Sequence, residues 1–319
     1  MALYITESEV SRLLTMDIAL EAVEDGFMHL SRGSAFNFPR HRLPNGQGSY
    51  NFMSASAPGL GVMGTKSYSV GGGPSRFYVH LYSSSSGQLL AVIEASGMGQ
   101  TRTGAASGVA TKYMAREDAD SLGVIGTGYQ AGAQLEAICK VRNIKSVLVY
   151  SRSRDNRSRF AESMSLRLGA QVTAVDSAQA CVSESSIVVA ITSAKKPVLE
   201  GEWLSTGTHI NAAGNNHWMK QEVDYAVVQR ASVIVADDVE GAKVECGDLV
   251  YPVDRGITTW DHVRNLSDVV AGVVDGRPHS DDITLFESQG LAIEDLAVGI
   301  RVYNMAKEQG LGKEVSSPS

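Results

Sequence analysis

The chain has 319 residues, 43% of them apolar and 20% charged, with a formal net charge of -7. At roughly 150 residues per domain this describes a globular protein of about two domains, and the acidic balance excludes nucleic acid as a partner. The three cysteines, Cys139, Cys181 and Cys246, stand far apart with no C-x-x-C, which excludes a disulfide framework and a zinc site.

No apolar run approaches the ~18 residues of a membrane span, and the opening segment has no basic start followed by an apolar core. A cytoplasmic protein without membrane contact or bound metal is expected. The opening predicts two helices. Thr6 caps the first with Glu9 three residues on, and the second follows Thr15 with Ile18, Ala22 and Met28 at helical spacing. From Ser49 to Ser96 the runs SYNFMSA, GVMGTKSYSV, RFYVHLY and LLAVIEAS are broken by Pro58-Gly59, Gly71-Gly72-Gly73 and SSSSG, the pattern of an antiparallel sheet.

A helix rich in small residues, TRTGAASGVATKYMAR, then leads into alternating strands and helices from Ser121, which places a domain boundary near residue 118. Six short buried-looking runs, SLGVIG, SVLVYS, QVTAVD, SIVVAIT, THINAAG and SVIVADD, predict a doubly wound parallel sheet. The segment DLAVGIRVYNMAKEQG reads as a helix that returns to the first domain. The domains expected are therefore 1–118 plus 297–319, and 119–296, with the last residues, KEVSSPS, frayed.

The strongest local signal is the strand Leu122-Gly123-Val124-Ile125 followed by Gly126-Thr127-Gly128-Tyr129-Gln130-Ala131, a G-x-G-x-x-A turn that opens a helix. Gly126 permits the tight turn, Gly128 lets the backbone approach a pyrophosphate, and Ala131 packs helix on strand with the helix N-terminus facing the phosphates. An NAD site calls for an acid at the end of the next strand. Here that end reads Tyr150-Ser151-Arg152-Ser153, which suits a 2′-phosphate better, so NADP(H) is favoured and NAD(H) remains open.

Arg40, Arg42, Lys66 and Arg102 sit among apolar or small residues rather than on charged faces. Lys66 interrupts a strand-like run; turned inward it needs an anionic partner such as a substrate carboxylate, turned outward it is a solvated lysine. Arg102 reads as an anion clamp or a surface ion pair, and Arg40 and Arg42 are not distinguished. After the fifth strand, Asn211-Ala212-Ala213-Gly214-Asn215-Asn216-His217-Trp218 lies where such sheets bind ligands, with His217 a loop histidine lacking a visible partner. The acids of EVDY and VADDVEG read as helix-start and loop carboxylates.

The blocks GQTRTGAASGVATKYMAREDA, GVIGTGYQAGAQLEAI, VLVYSR, THINAAG and TLFESQGLAIEDLAVG, in this order, resemble those of the ornithine cyclodeaminase and mu-crystallin family over nearly the whole chain. The resemblance implies a homodimer that handles a small imino or amino acid. It implies a Rossmann domain inserted into an α+β dimerisation and substrate domain, and hydride chemistry at a C–N bond alpha to a carboxylate. Carried over by position, it assigns carboxylate binding to Arg40, Lys66 and Arg102. The phosphate loop falls on Gly126, Thr127, Gly128, Tyr129, Gln130 and Ala131, the ribose turn on Ser151, Arg152 and Ser153, and the nicotinamide side on Thr192, Gly214, Lys220 and Ser288.

One departure shapes the functional reading. Where the family's cyclodeaminases and related amino-acid dehydrogenases carry an acidic G-x-D, this chain has Gly214-Asn215-Asn216, and a neutral amide cannot be a general base although it can orient a nitrogen. NADPH-dependent reduction of an alpha-imino acid is the expected activity, with Lys66 and Asn216 as catalytic residues. The alternatives are a cyclodeaminase or amino-acid dehydrogenase, and a nucleotide-binding protein without catalysis.

Overall fold

The computed structural model describes residues 2–71 and 73–315. Gly72 of the glycine turn and residues 316–319 of the tail lie outside the described residues. In chain order the protein runs β1 (Ala2–Ile5), α1 (Glu7–Leu13), α2 (Met16–Ser31), β2 (Phe36–Pro44), β3 (Ser49–Ala57), β4 (Val62–Val70), β5 (Phe77–Ser83), β6 (Leu89–Glu94) and α3 (Ser96–Met114). It continues through β7 (Ser121–Ile125), α4 (Ala131–Val141), β8 (Ser146–Tyr150), α5 (Arg154–Leu168), β9 (Val172–Ala174), α6 (Ala178–Ser183), β10 (Ile187–Ala190) and β11 (His209–Ala212). There follow α7 (Tyr225–Arg230), β12 (Val233–Ala236), α8 (Val239–Glu245), α9 (Gly247–Asp254), β13 (Val263–Asn265), α10 (Leu266–Val270), β14 (Thr284–Glu287), α11 (Ala292–Glu308) and β15 (Lys313–Val315).

The chain packs as two compact units, Met1–Arg102 with Leu291–Ser319, and Thr103–Gly290. The sequence pattern placed the divisions near 118 and 297; the first falls inside α3 instead. The reason is steric: a Cβ on Gly104 would lie 2.4 Å from the Ala133 carbonyl oxygen of α4, so this part of α3 already packs with the strands and helices that follow it.

In the first unit α1 has the expected capping box, with Thr6 Oγ1 accepting from Glu9 N and Glu9 Oε2 accepting from Thr6 N, and Thr15 caps α2. Its seven-stranded sheet has the order β15-β1-β6-β5-β4-β3-β2. The pairs from β3 to β6 are antiparallel as expected; β2, which the sequence pattern did not indicate, adds antiparallel to β3, and β1, also not indicated, joins β6 in parallel. The expected fraying of the tail is corrected for Lys313–Val315, which pair with β1 as β15. α11 packs on β3, β4 and β5 and against α2, covering the face formed by Met53, Ala55, Val62, Val79, Leu81 and Ile93. Alternation along the strands gives this face its apolar residues, with polar exceptions at Asn51 of β3 and Lys66 of β4.

The second unit is a doubly wound parallel sheet of eight strands, ordered β13-β12-β14-β11-β10-β7-β8-β9. The sequence indicated six of these strands and missed β13 and β14. β14 inserts between β11 and β12, so the strand beside β11 comes late in the sequence. The order reverses between β7 and β10, the topological switch point of this architecture. Among the described residues no helix is long and apolar enough to cross a membrane.

Candidate active site

In the first unit the side-chain period of two turns Lys66 onto the apolar face of β4, opposite Met53 of β3 and Val79 of β5, both buried. The inward orientation is therefore the one adopted, and the amine is 3% exposed at the residue level. Its Nζ donates to Asp295 Oδ1 of α11 at 2.7 Å and lies 5.8 Å from the centre of the Phe77 ring. Arg102, on α3, is also buried; its Nη1 donates to Glu294 Oε2 at 2.6 Å and its Nε to the same Asp295 Oδ1 at 3.2 Å. The surface ion-pair reading of Arg102 is thus replaced by a buried one.

A register shift in β2 between Phe38 and His41 turns Arg40 inward to 9% exposure, while Arg42 is half-buried. The bulge separates two cations that sequence could not distinguish. Burial pushes the Lys66 amine down to about 8, and the charges of Arg102 and Arg40 act in the same direction against the opposing Asp295. Asp295 Oδ2 is buried with no hydrogen-bond partner among the described residues. Three cations and two carboxyl groups thus crowd one water-poor place, an arrangement chemically suited to receiving an anion and to moving a proton from a readily deprotonated amine.

In the second unit Gly126 has φ +114°, and a Cβ there would stand 2.3 Å from the Ile191 carbonyl oxygen, so only glycine makes this turn. At Gly128 a Cβ would meet nothing within 4 Å, leaving open space before the N-terminus of α4, whose first residue is Ala131. That open cradle with a free-standing helix start fits a pyrophosphate. Gln130 precedes the helix with its Oε1 buried and without a hydrogen-bond partner among the described residues, and Tyr129 is exposed.

Thr127 Oγ1 donates to Ser151 Oγ at 2.9 Å, tying this loop to the end of β8. Ser153 caps α5, and Arg152 between the two serines is exposed with no ion pair to the described residues. None of the turn residues Ser151–Ser153 is a carboxylate, although Arg157, which donates to the Ser151 carbonyl, pairs with Asp176 nearby. The chemistry of the turn accommodates a 2′-phosphate by the guanidinium and two hydroxyls.

Beyond the ends of β10 and β11 the backbone is organised by an acid that sequence reading placed only among helix-start carboxylates. Glu222 is fully buried; its Oε1 accepts from Thr192 N at 2.5 Å and Thr192 Oγ1 at 2.7 Å, and its Oε2 from Gly214 N at 2.6 Å. Asp248 of α9 accepts in turn from Glu222 N and Val223 N, at 2.8 and 3.0 Å. Burial pushes the Glu222 carboxyl up to about 7 and Asp248 to about 8; Glu287, at the end of β14, is raised well above the carboxylate range by burial and by the Asp248 charge.

Of the other positions, Ser288 is buried and Lys220 half-buried. Asp237 Oδ2 accepts from the backbone of Gln289 and Gly290 beside Ser288. Asn216 is exposed, whereas Asn215 is buried and donates to the Ala194 carbonyl at 3.2 Å. His217 Nδ1 faces the backbone amide of Met219 at 3.3 Å. Asp224 and Asp238 cap α7 and α8, as their positions predict. Among the described residues no group of three His, Cys, Asp or Glu could hold a metal ion.

Sequence reasoning missed Asp295 and Glu294, whose signal was only their place in an otherwise apolar segment, and Glu222, which stands in a polar segment beside a helix cap. A model of the ornithine cyclodeaminase/mu-crystallin family matches residues 2–310. Alanine dehydrogenase from Archaeoglobus fulgidus is 35% identical over 322 residues, 98% of each chain. The structure of Thermococcus litoralis Delta(1)-pyrroline-2-carboxylate reductase in complex with NADH and L-proline superposes with a TM-score of 0.93 at 36% identity, over 98% of this chain and 100% of that one. An archaeal alanine dehydrogenase dimer with bound NAD superposes with a TM-score of 0.93 at 34% identity, over 99% of both chains. The chain therefore belongs to the ornithine cyclodeaminase/mu-crystallin family.

Proposed function

We propose that the protein is an NAD(P)H-dependent reductase of a C=N bond alpha to a carboxylate, forming an amino acid. The observation that carries this reading is the buried Lys66 amine, held near neutrality in its titration by burial and by the neighbouring guanidinium groups. Arg40 and Arg102 hold the substrate carboxylate. Lys66 holds the proton that the nitrogen receives as its carbon is reduced. A bound reduced nicotinamide supplies the hydride. Asn216 presents an amide that orients the nitrogen without acting as a base.

The cofactor loop comprises Gly126, Thr127, Gly128, Tyr129, Gln130 and Ala131, with Thr192, Gly214, Lys220 and Ser288 on the nicotinamide side. The likeness to proteins bound to NADH and NAD supports nicotinamide use. Ser151, Arg152 and Ser153 support a preference for NADP(H) over NAD(H).

The test is oxidation of NADPH and NADH, followed by nicotinamide absorbance, with cyclic imines and with 2-oxo acids mixed with amines. Turnover on imino acids is expected. Silence across the panel by protein that binds NADPH would overturn the reading in favour of a nucleotide-binding protein without catalysis. The likeness to alanine dehydrogenase favours a second reading, in which ammonia and a 2-oxo acid are joined and reduced; turnover with ammonia as the amine would select it.

The working form is a homodimer, in the cytoplasm. Phe36, Phe38 and Leu43 are 57%, 62% and 55% exposed on β2, the edge strand of the first unit's sheet, and such an edge is capable of receiving a second copy.

A further inference from the structure

We propose that Glu222, a residue outside the reacting groups, is the positioning residue for the nicotinamide half of the cofactor, because its single carboxylate locks the ends of β10 and β11 together. The inference rests on the reading of the second unit as the dinucleotide site and adds a role to a residue assigned none. The sheet order places the nicotinamide end. The phosphate loop follows β7, and the ribose turn follows β8 on one side of the switch point. The other half of a dinucleotide must then lie beyond β10 and β11, on the opposite side.

Those strands end at Ala190 and Ala212, directly paired in register, and the chain leaves them through Thr192 and Gly214. A Cβ at Gly214 would lie 2.3 Å from both the N and the O of Thr192 and 2.5 Å from Glu222 Oε2, so the two exits touch and Glu222 closes over the contact. Three donors from the two exits converge on its two oxygens, two on Oε1 and one on Oε2. An ionised carboxylate meets them all; an amide cannot, since its nitrogen would face a donor.

Glu222 is itself held from both sides. Its backbone oxygen accepts from Val198 N and Leu199 N at 2.8 and 3.0 Å, and its amide is taken by Asp248. The acid therefore connects both exits to α9 and to the segment after β10. This is more bonding than a helix-start carboxylate requires, and the carboxylate's own share of it falls on Thr192 and Gly214, the two strand exits. The charged or titratable groups around it are Asp248, Glu287 and Lys220.

The experiment compares binding of NADPH, NADH and their counterparts without the nicotinamide ring, 2′-phospho-ADP-ribose and ADP-ribose, to wild type, Glu222→Gln and Glu222→Asp, together with the fluorescence of the bound reduced nicotinamide. Loss of a charge-assisted hydrogen bond predicts NADPH and NADH weakened by about tenfold or more in Glu222→Gln. Affinity for the counterparts without the ring should stay within about twofold, and the nicotinamide emission should approach that of the free nucleotide. Glu222→Asp retains the charge but is too short to reach both exits, and shows the same selective loss even if the glutamine variant fails to fold.

Equal weakening of the counterparts without the ring would reduce Glu222 to a general structural role and overturn the proposal, as would unchanged NADPH binding in both variants. Wild type that bound none of these compounds would instead overturn the dinucleotide reading on which the inference rests.

Discussion

Lys66 Nζ and Asp295 Oδ1 lie 2.7 Å apart although 229 residues separate them, and both side chains are buried. Asp295 also accepts from Arg102, so one carboxylate oxygen partly compensates two cations. Lys66 titrates near 8 because desolvation and the Arg102 charge outweigh the attraction of Asp295. For imine reduction kcat/KM should therefore fall as pH rises through about 8, where the proton donor is lost, while the reverse oxidation should rise over the same interval. Lys66→Met should remove the limb. Asp295→Asn should move it to lower pH and destabilise the fold by about 3–5 kcal/mol, since two buried cations lose their shared partner. A rate profile without a limb on the alkaline side would exclude Lys66 as the donor.

Gly126 and Gly128 are two residues apart and predict opposite failures. Gly126→Ala places a side chain at φ +114° with its Cβ 2.3 Å from a carbonyl oxygen, and should lower stability by at least about 1–3 kcal/mol. Gly128→Val enters open space, so its melting temperature should match wild type while NADPH binding falls by at least about tenfold. Thermal melts with and without NADPH separate the two. A Gly128→Val protein with undiminished affinity would mean that no pyrophosphate lies against this loop.

Arg152 stands exposed between Ser151 and Ser153 at the end of β8. If it meets the 2′-phosphate, Arg152→Ala should raise the KM for NADPH by about tenfold or more and leave that for NADH nearly unchanged, the scale of a charge-assisted hydrogen bond. Adding Ser151→Asp supplies a carboxylate for the ribose hydroxyls and should invert the preference. Parallel changes in both KM values would leave Arg152 a solvated surface residue.

The glycine turn after β7 was legible because its geometry is local: Gly126, Gly128 and the start of α4 lie close together in the chain, and strand, loop and helix obey one short pattern. The caps at Thr6, Thr15, Asp224 and Asp238 were legible for the same reason. β14 was not, since Thr284–Glu287 is only four residues long and owes its existence to β11 and β12 on either side. β15 likewise forms through its pairing with β1 at the far end of the sequence. Lys66 could be singled out but not oriented, because its direction depends on the register of β4 and on Asp295 arriving from α11. Glu222 shares its segment with Asp224, a true helix cap, and only the tertiary fold separates the two acids.

Asp248 links the acid network to stability. Its carboxyl is pushed up to about 8, first by burial and then by the Glu222 charge, from an ordinary 3.8. A carboxyl raised in the folded state binds its proton more tightly there, so its contribution is complete below about pH 4 and is lost as pH rises through about 8. Wild type should thus lose stability between these limits by on the order of 1 kcal/mol per pH unit from this group. Asp248→Asn keeps an Oδ1 acceptor for Glu222 N and Val223 N, and its amide nitrogen donates where the protonated oxygen would. Denaturant midpoints of the two proteins should converge near pH 5 and diverge in favour of the variant near pH 8. Parallel curves across that range would show that Asp248 stays ionised in the folded protein, leaving the raised carboxyls of Glu222 and Glu287 to carry the protons of the network.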